Sequence, residues 1–308
     1  MLDIVSIGEI LIDLTQTSVD ARGIPQFAAN PGGAPANVAV AARRLGAKTA
    51  FIGKVGRDGF GRYLRSVLEE NGVDAHLLLE DGHALTTQAV VTVDASGERS
   101  FTFYRENTAD VRLSPDEVQV PETRILHFGS VSLTAEPSRS ATLEAARAAK
   151  AAGALVTYDP NYRANLWPDE AAAVTQIKAA LPLADVLKVS DEELLLLTGT
   201  ADLERGTEAL AGYGIPLIFV TLGGDGAFFR YGDLCGRVPG FSVTVADTNG
   251  AGDTFFAAVL FRLAGRGGID GLTGAELSEI ARFANRAASI TTSRSGAIPA
   301  MPTLDEVQ

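Results

Sequence analysis

Residues 125–158 hold an apolar run, Ile125–Phe128 (ILHF), then the alanine-rich Pro137–Ala152 (PSRSATLEAARAAKAA), then Gly153, then a second apolar run, Leu155–Tyr158 (LVTY). The short runs have the length and composition of buried strands, and the longer segment stops at a glycine, as helices commonly do. A strand, a crossover helix and a second strand make a βαβ unit, which implies a parallel sheet covered by helices. The pattern recurs outward. Leu2–Ile7, Thr49–Ile52, Val186–Val189 and Leu217–Thr221 read as further buried strands. Pro35–Leu45 before Gly46 and Gly59–Asn71 before Gly72 read as further helices. The expectation is a three-layer α/β/α chain with a mainly parallel central sheet. Ligands of such sheets bind at the carboxyl ends of the strands, where Asp159, Ser190 and Gly223 are expected to lie.

One region breaks the alternation. Thr86–Val93 and Arg99–Arg105 are β-rich and joined by Asp94-Ala95-Ser96-Gly97, the signature of a hairpin without a helix. With Leu11–Thr15 and Ile24–Ala28 they form a small β-sheet lid, roughly residues 11–28 and 86–105, inserted into one domain spanning 1–308. A small sheet with few helices to cover it needs a ligand or another subunit against one face, so pairing of two lids in a homodimer is expected.

Composition narrows the partners. The chain has 308 residues, 46% hydrophobic, with 32 glycines, enough for a sizeable core with many tight turns. A formal net charge of −12 argues against a nucleic-acid or anionic membrane surface. The single Cys235 excludes an intramolecular disulfide framework and fits a reducing cytoplasm. Met1–Leu14 carries Asp3, Glu9 and Asp13 and no basic start, so it reads as a buried strand and not as a secretion signal. No charge-free stretch is long enough to span a bilayer.

The chemistry concentrates in Asp247-Thr248-Asn249-Gly250-Ala251-Gly252-Asp253-Thr254, ahead of the apolar Phe255–Leu260. Small residues at a helix start let a phosphate approach exposed N–H groups. A carboxylate there is a poor phosphate ligand but a suitable general base for a hydroxyl attacking phosphate. Taken alone, the same turn is also a plain helix start with an acidic residue against the helix dipole. A second cluster, Asn30-Pro31-Gly32-Gly33-Ala34-Pro35-Ala36-Asn37, opens the first helix; Asn37 offers an amide and Asp13 a carboxylate to sugar hydroxyls. The chain has no G-x-x-x-x-G-K-[ST] loop, and Gly53, Gly56, Gly59 and Gly61 lack the dinucleotide-binding spacing.

The glycine pair with Asn37, followed two hundred residues later by Asp247–Asp253, resembles the two signatures of the ribokinase-like (pfkB) carbohydrate kinases, and the likeness extends over essentially the whole chain. Tyr158–Arg163, Lys188–Glu193 and Phe283-Ala284-Asn285 through Ile298–Thr303 most resemble the fructokinases of that family. The resemblance implies ATP-dependent phosphorylation of D-fructose to fructose 6-phosphate. Asp253 would be the general base, and Gly250, Ala251 and Gly252 the anion hole. Asp13, Gly32, Gly33, Asn37, Arg105 and Arg163 would hold the sugar. Lys188, Thr221, Gly223, Gly224, Gly226 and Asn285 would hold ATP. Glu193 would meet Mg2+ through water, and Asp247 with Asn249 a monovalent cation such as K+. Ser190 stands where relatives have Asn, and Ser190 with Glu193 also fits a capping box. A 2-keto-3-deoxygluconate kinase and a non-catalytic sugar sensor are the competing readings; Ala109-Asp110 after the lid pulls toward fructokinases, whose relatives often carry Ala-Asp there, and Asp110 would repel a sugar acid if it faced the site.

Overall fold

The computed structural model describes residues 1–93 and 99–308; the turn expected over Asp94–Gly97 lies outside the described residues. In chain order the elements are β1 (Leu2–Ile7), β2 (Leu11–Val19), β3 (Pro25–Gly32), α1 (Ala34–Arg44), β4 (Thr49–Gly56), α2 (Gly59–Glu70), β5 (Leu78–Asp81), β6 (Gln88–Val93) and β7 (Arg99–Tyr104). They continue with β8 (Thr123–Gly129), α3 (Ser138–Ala151), β9 (Leu155–Asp159), α4 (Glu170–Ala180), β10 (Val186–Ser190), α5 (Asp191–Thr198), α6 (Leu203–Ala211) and β11 (Leu217–Thr221). The chain closes with β12 (Ala227–Tyr231), β13 (Leu234–Val238), α7 (Ala251–Arg266), α8 (Gly274–Thr292) and α9 (Leu304–Val307).

Nine strands form the large sheet in the order β13-β12-β11-β10-β9-β8-β1-β4-β5. All neighbours from β11 to β5 are parallel, while β12 and β13 close one edge antiparallel. Starting from β1 the chain winds outward to β5, then returns to β8 on the other side of β1 and winds the opposite way. The β1/β8 boundary is therefore the switch point at which an open sheet forms its crevice.

Side chains alternate between the two faces with the strand period of two. Ile4, Phe51, Ile125 and Phe219 enter one core with α1, α2, α7 and α8. Val5, Ile52, Leu126 and Ile218 enter a second core with α3, α4, α5 and α6. Helix α7 is buried nearly all round, from Asp253 to Leu260, because it lies between the sheet and the helices α1 and α8. An apolar run such as Phe255–Leu260 is tolerated only in that position.

The second sheet has four strands in the order β3-β2-β6-β7, with β2 and β6 parallel and the outer pairs antiparallel. Its strands run further than the sequence suggests, since β2 reaches Val19 and β3 ends at Gly32. Gly32 thereby leads directly from the small sheet into α1.

Candidate active site

The start of α7 is set by Gly250, whose φ of 75° is left-handed and whose missing side chain makes room for Ala297; a Cβ there would lie 3.0 Å from the Ala297 Cβ. The Asn249 N–H donates to Asp247 Oδ1 at 3.0 Å, and the Gly296 N–H donates to Asp247 Oδ2 at 3.2 Å. Asp247 thus pins the turn before α7 to the segment after α8. Asp253 follows in the first turn, 6% exposed. Its Oδ2 accepts from the Asn37 amide at 2.8 Å and its Oδ1 from the Asn161 amide at 3.0 Å. Burial pushes the Asp253 carboxyl above its ordinary value, against the opposing pull of Asn37, Lys188, Arg163 and Asn161.

Asn161 is a site residue that the sequence reading missed. Its φ of 47° is left-handed, a conformation in which asparagine is enriched, and its N–H donates to Asp159 Oδ1 at 3.1 Å. The available signal was an Asp-x-Asn turn at a strand's carboxyl end.

A cavity of about 360 Å³ opens beside Asp253. Glu9, Asp13, Asn37, Asn161, Arg163 and Asn249 contribute to it, and Leu11 and Phe103 of the small sheet close its roof. Gly32 is needed for room, since a Cβ there would come within 2.5 Å of Asp13 Oδ2. Gly33 is needed both for its φ of 108° and because a Cβ would strike the Glu9 carbonyl at 2.5 Å. Burial pushes the Asp13 carboxyl up to about 6, with Arg163 pulling the other way. Burial likewise pushes Glu9, a second residue missed from sequence, up to about 7.

Arg105 requires a correction. It does not line the cavity; its Nε donates to Asp110 Oδ2 at 2.7 Å and its Nη1 to the Thr134 hydroxyl, a buried pair beneath the small sheet. An ion pair so enclosed fixes both charges in the wall. Asp110 is likewise spent on Arg105, Thr87 and Thr108.

On the other side of the α7 start lies a larger cavity of about 990 Å³. Thr221, Gly223, Gly224, Gly226 and Asn285 all line it, with Ala251 and Gly252 at its inner end. Gly250 and Asp253 face the smaller cavity, and Thr248 lines both, so the first turn of α7 is the wall between them. The Ala251 N–H lies 3.3 Å from the Thr248 carbonyl, a turn contact at the head of α7. The Asn285 amide donates to the Val238 and Pro239 carbonyls at 3.2 and 3.1 Å, fixing the cavity's rim.

Lys188 lines neither of these cavities. Its Nζ pairs with Asp159 at 3.0 Å, and it approaches α7 so closely that a Cβ on Gly252 would lie 3.1 Å from Nζ. Burial alone would lower the Lys188 ammonium, but the carboxylates of Asp159, Glu193 and Asp253 outweigh it and hold it above its ordinary value. Glu193 forms the capping box with Ser190, accepting from the Ser190 N–H at 2.8 Å, while its other oxygen accepts from the Tyr162 N–H at 2.7 Å. It lines a third cavity with Lys188 and Arg163. Among the described residues no cluster of three or more His, Cys, Asp and Glu could hold a metal by itself.

Comparison with known proteins gives the family and the fold. A family model described as pfkB family carbohydrate kinase matches residues 1–304. The probable fructokinase-4 of Arabidopsis thaliana is 45% identical over 312 residues, which cover 99% of this chain and 95% of that protein. The fructokinase of Xylella fastidiosa, solved with bound ATP, superposes with a TM-score of 0.90 at 35% identity, covering 99% of this chain and 96% of that one. The fructokinase of Vibrio cholerae O395, solved with fructose, ADP and calcium, superposes with a TM-score of 0.89 at 36% identity over 99% and 98% of the two chains.

Proposed function

The chain belongs to the pfkB family of carbohydrate kinases, and from that membership we propose that it transfers the γ-phosphoryl group of ATP to D-fructose, giving fructose 6-phosphate and ADP. Its relatives at about 45% identity over nearly their full length are fructokinases, and the reaction is that of an ATP-dependent sugar kinase. The observation that carries the reading at the level of chemistry is the position of Asp253. It lies in a wall between a cavity that suits a nucleotide and one that suits a monosaccharide, with both oxygens held by amides.

Fructose in the smaller cavity would hydrogen-bond Asp13 and Asn37, with its 6-hydroxyl toward Asp253. Phosphoryl transfer gains chiefly from such positioning and from electrostatic stabilisation. Asp253 takes the hydroxyl proton as the oxygen attacks phosphorus, and the oxygen bridging to ADP leaves with its electron pair. The two amides orient the carboxylate, and burial raises its basicity. The N–H of Gly252 at the head of α7, with the N-terminal dipole, faces the transferring group. Lys188 and Arg163 place positive charge beside the same helix end.

A divalent ion, which we take to be Mg2+, would sit on the nucleotide phosphates and water, with Glu193 at its outer shell. The Glu193 carboxylate, which lines a cavity at the carboxyl end of β10, is the group proposed to meet the ion through water. Such an ion neutralises charge on the phosphate oxygens. Asp247 and the Asn249 carbonyl are the proposed monovalent-cation ligands; a double mutant of the Vibrio cholerae enzyme was solved with potassium.

The sugar cavity favours a neutral substrate over a sugar acid. Among the described lining residues Glu9, Asp13 and Asp253 bring three carboxyl groups to it against the guanidinium of Arg163, and Arg105 is paired with Asp110. A 2-keto-3-deoxygluconate carboxylate would meet repulsion there. The four-stranded sheet acts as a lid over the sugar, and two lids pair in a homodimer. No helix of the described residues is long and apolar enough to cross a membrane, and the cytoplasm is the proposed compartment.

The test is ADP formation by the purified protein with ATP and Mg2+ across fructose, ribose, 2-keto-3-deoxygluconate and nucleosides. Fructose is expected to give the highest kcat/KM. Sugar binding without turnover would favour a sensor, and a higher kcat/KM for another sugar would overturn the substrate. Asp253→Asn is expected to lower kcat by at least ~100-fold while ATP binding persists; near-normal turnover would remove Asp253 from the role of base.

A further inference from the structure

We propose that Asp159 is a positioning residue for phosphoryl transfer, whose one carboxylate sets both the Lys188 ammonium at the head of α7 and, through Asn161, the base Asp253; this rests on the kinase reading above. Asp159 ends β9, is 1% exposed and lines neither the sugar cavity nor the nucleotide cavity, so it acts through its partners. Its Oδ2 accepts from Lys188 Nζ at 3.0 Å. Its Oδ1 accepts from the Asn161 N–H at 3.1 Å, and the Asn161 amide in turn donates to Asp253 Oδ1 at 3.0 Å. Two oxygens of one side chain therefore reach the two parts of the reaction centre.

The chain builds this junction locally. In Asp159-Pro160-Asn161 the aspartate closes on the N–H two residues ahead, a turn that steadies the left-handed φ of 47° at Asn161. The Pro160 carbonyl accepts from the Ser130 N–H at 3.1 Å, which ties the turn to the end of β8. Lys188 arrives from the next strand, since Leu187 on β10 pairs with Tyr158 on β9 and so sets Lys188 beside Asp159. Glu193 and Asp253 act on the ammonium from α5 and α7, and neutral His127 lies near it on β8, but Asp159 is the carboxylate that touches it. A Cβ on Gly252 would lie 3.1 Å from Nζ, so the charge stands against the first turn of α7, at the inner end of the nucleotide cavity. A long, flexible lysine needs such a partner to hold its charge in one place, and a buried pair loses little freedom when the nucleotide binds.

The experiment compares steady-state kinetics with fructose, and calorimetric binding of ATP and of fructose, for the wild type and Asp159→Asn. Asparagine keeps an oxygen for the Asn161 N–H and withdraws the charge from Lys188. It is expected to lower kcat about tenfold and raise the ATP Kd about tenfold, with a fructose Kd within about twofold of wild type. A second series carries Lys188→Met, so that no buried ammonium is left unpaired should Asp159→Asn fail to fold alone. In that background Asp159→Ala, which also frees Asn161, is expected to turn over about tenfold more slowly than Asp159→Asn. With Asn161→Ala added, the two substitutions are expected to agree within about twofold, whereas a merely structural Asp159 would give the same difference in both cases. Wild-type kcat and ATP Kd in Asp159→Asn, or a difference between the two substitutions that persists without the Asn161 amide, would overturn the proposal. A wild type that phosphorylates no sugar would overturn the kinase reading instead, with the ATP Kd of Asp159→Asn still deciding the tie to Lys188.

Discussion

Asn161 carries as much of the base's geometry as Asn37 does, since each amide holds one oxygen of Asp253. Asn161→Ala is therefore expected to lower kcat about tenfold with little change in the ATP KM, read from initial rates. Asn161→Asp sets a second carboxylate beside the base. A like charge raises the Asp253 carboxyl further, and Asp253 must be ionised to accept a proton, so the acid limb of the kcat profile should move to higher pH. A limb that stays in place or moves to lower pH in a pH-rate series would contradict the assigned contact. Asp253, Asn37, Asp13 and the glycine pair were legible because small residues beside polar ones at a helix start have few other uses. Asn161 and Glu9 were not. Asn161 owes its role to a partner 92 residues away, and Glu9 to a hydrogen bond with the start of a helix 25 residues on. Arg105 was misplaced for a different reason: a nearby acid, Asp110, and the more distant Thr134 take it into the wall, and an arginine beside an acid reads equally well as a surface pair.

Among the elements, the buried parallel strands were readable because both faces are apolar; β1 and β11 have the bounds that the sequence suggests. The less regular strands were harder. Leu78–Asp81 is short and half acidic, and the edge hairpin of β12 and β13 carries charged and exposed residues on its outer strand. The glycines at 223, 224 and 226 serve two ends at once, since they turn the chain between β11 and β12 and line the larger cavity. At the head of α7 the constraint is sharper. Gly250→Ala forces a side chain into left-handed backbone and against Ala297, so it is expected to cost about 1–3 kcal/mol of stability. It should also reduce kcat, because Asp253 rides on the displaced turn. Denaturant unfolding and kinetics on the same preparation check both, and an unchanged Tm with full activity would show that the turn tolerates a Cβ.

The whole molecule exposes apolar side chains on and around the small sheet: Val19, Ile24, Phe27, Leu85 and Tyr104 are each more than 40% exposed. Its outer strands β3 and β7 also leave edges unpaired among the described residues. Both features suit pairing of two lids. Sedimentation should therefore give a dimer, and Phe27→Asp a shift toward monomer; a monodisperse monomer of the wild type would exclude the pairing. The mainly parallel large sheet and a separate small sheet were legible as a class, whereas sheet order and the register of β2 against β6 arise from tertiary packing. The union of Asp253 with Asn37 and Asn161 has a kinetic meaning as well. Those contacts span 216 and 92 residues, so their loop-closure entropy is met only when distant windings of the sheet have docked. During refolding, secondary structure returns early, and the phosphoryl-transfer activity reports the arrival of the last long-range contacts.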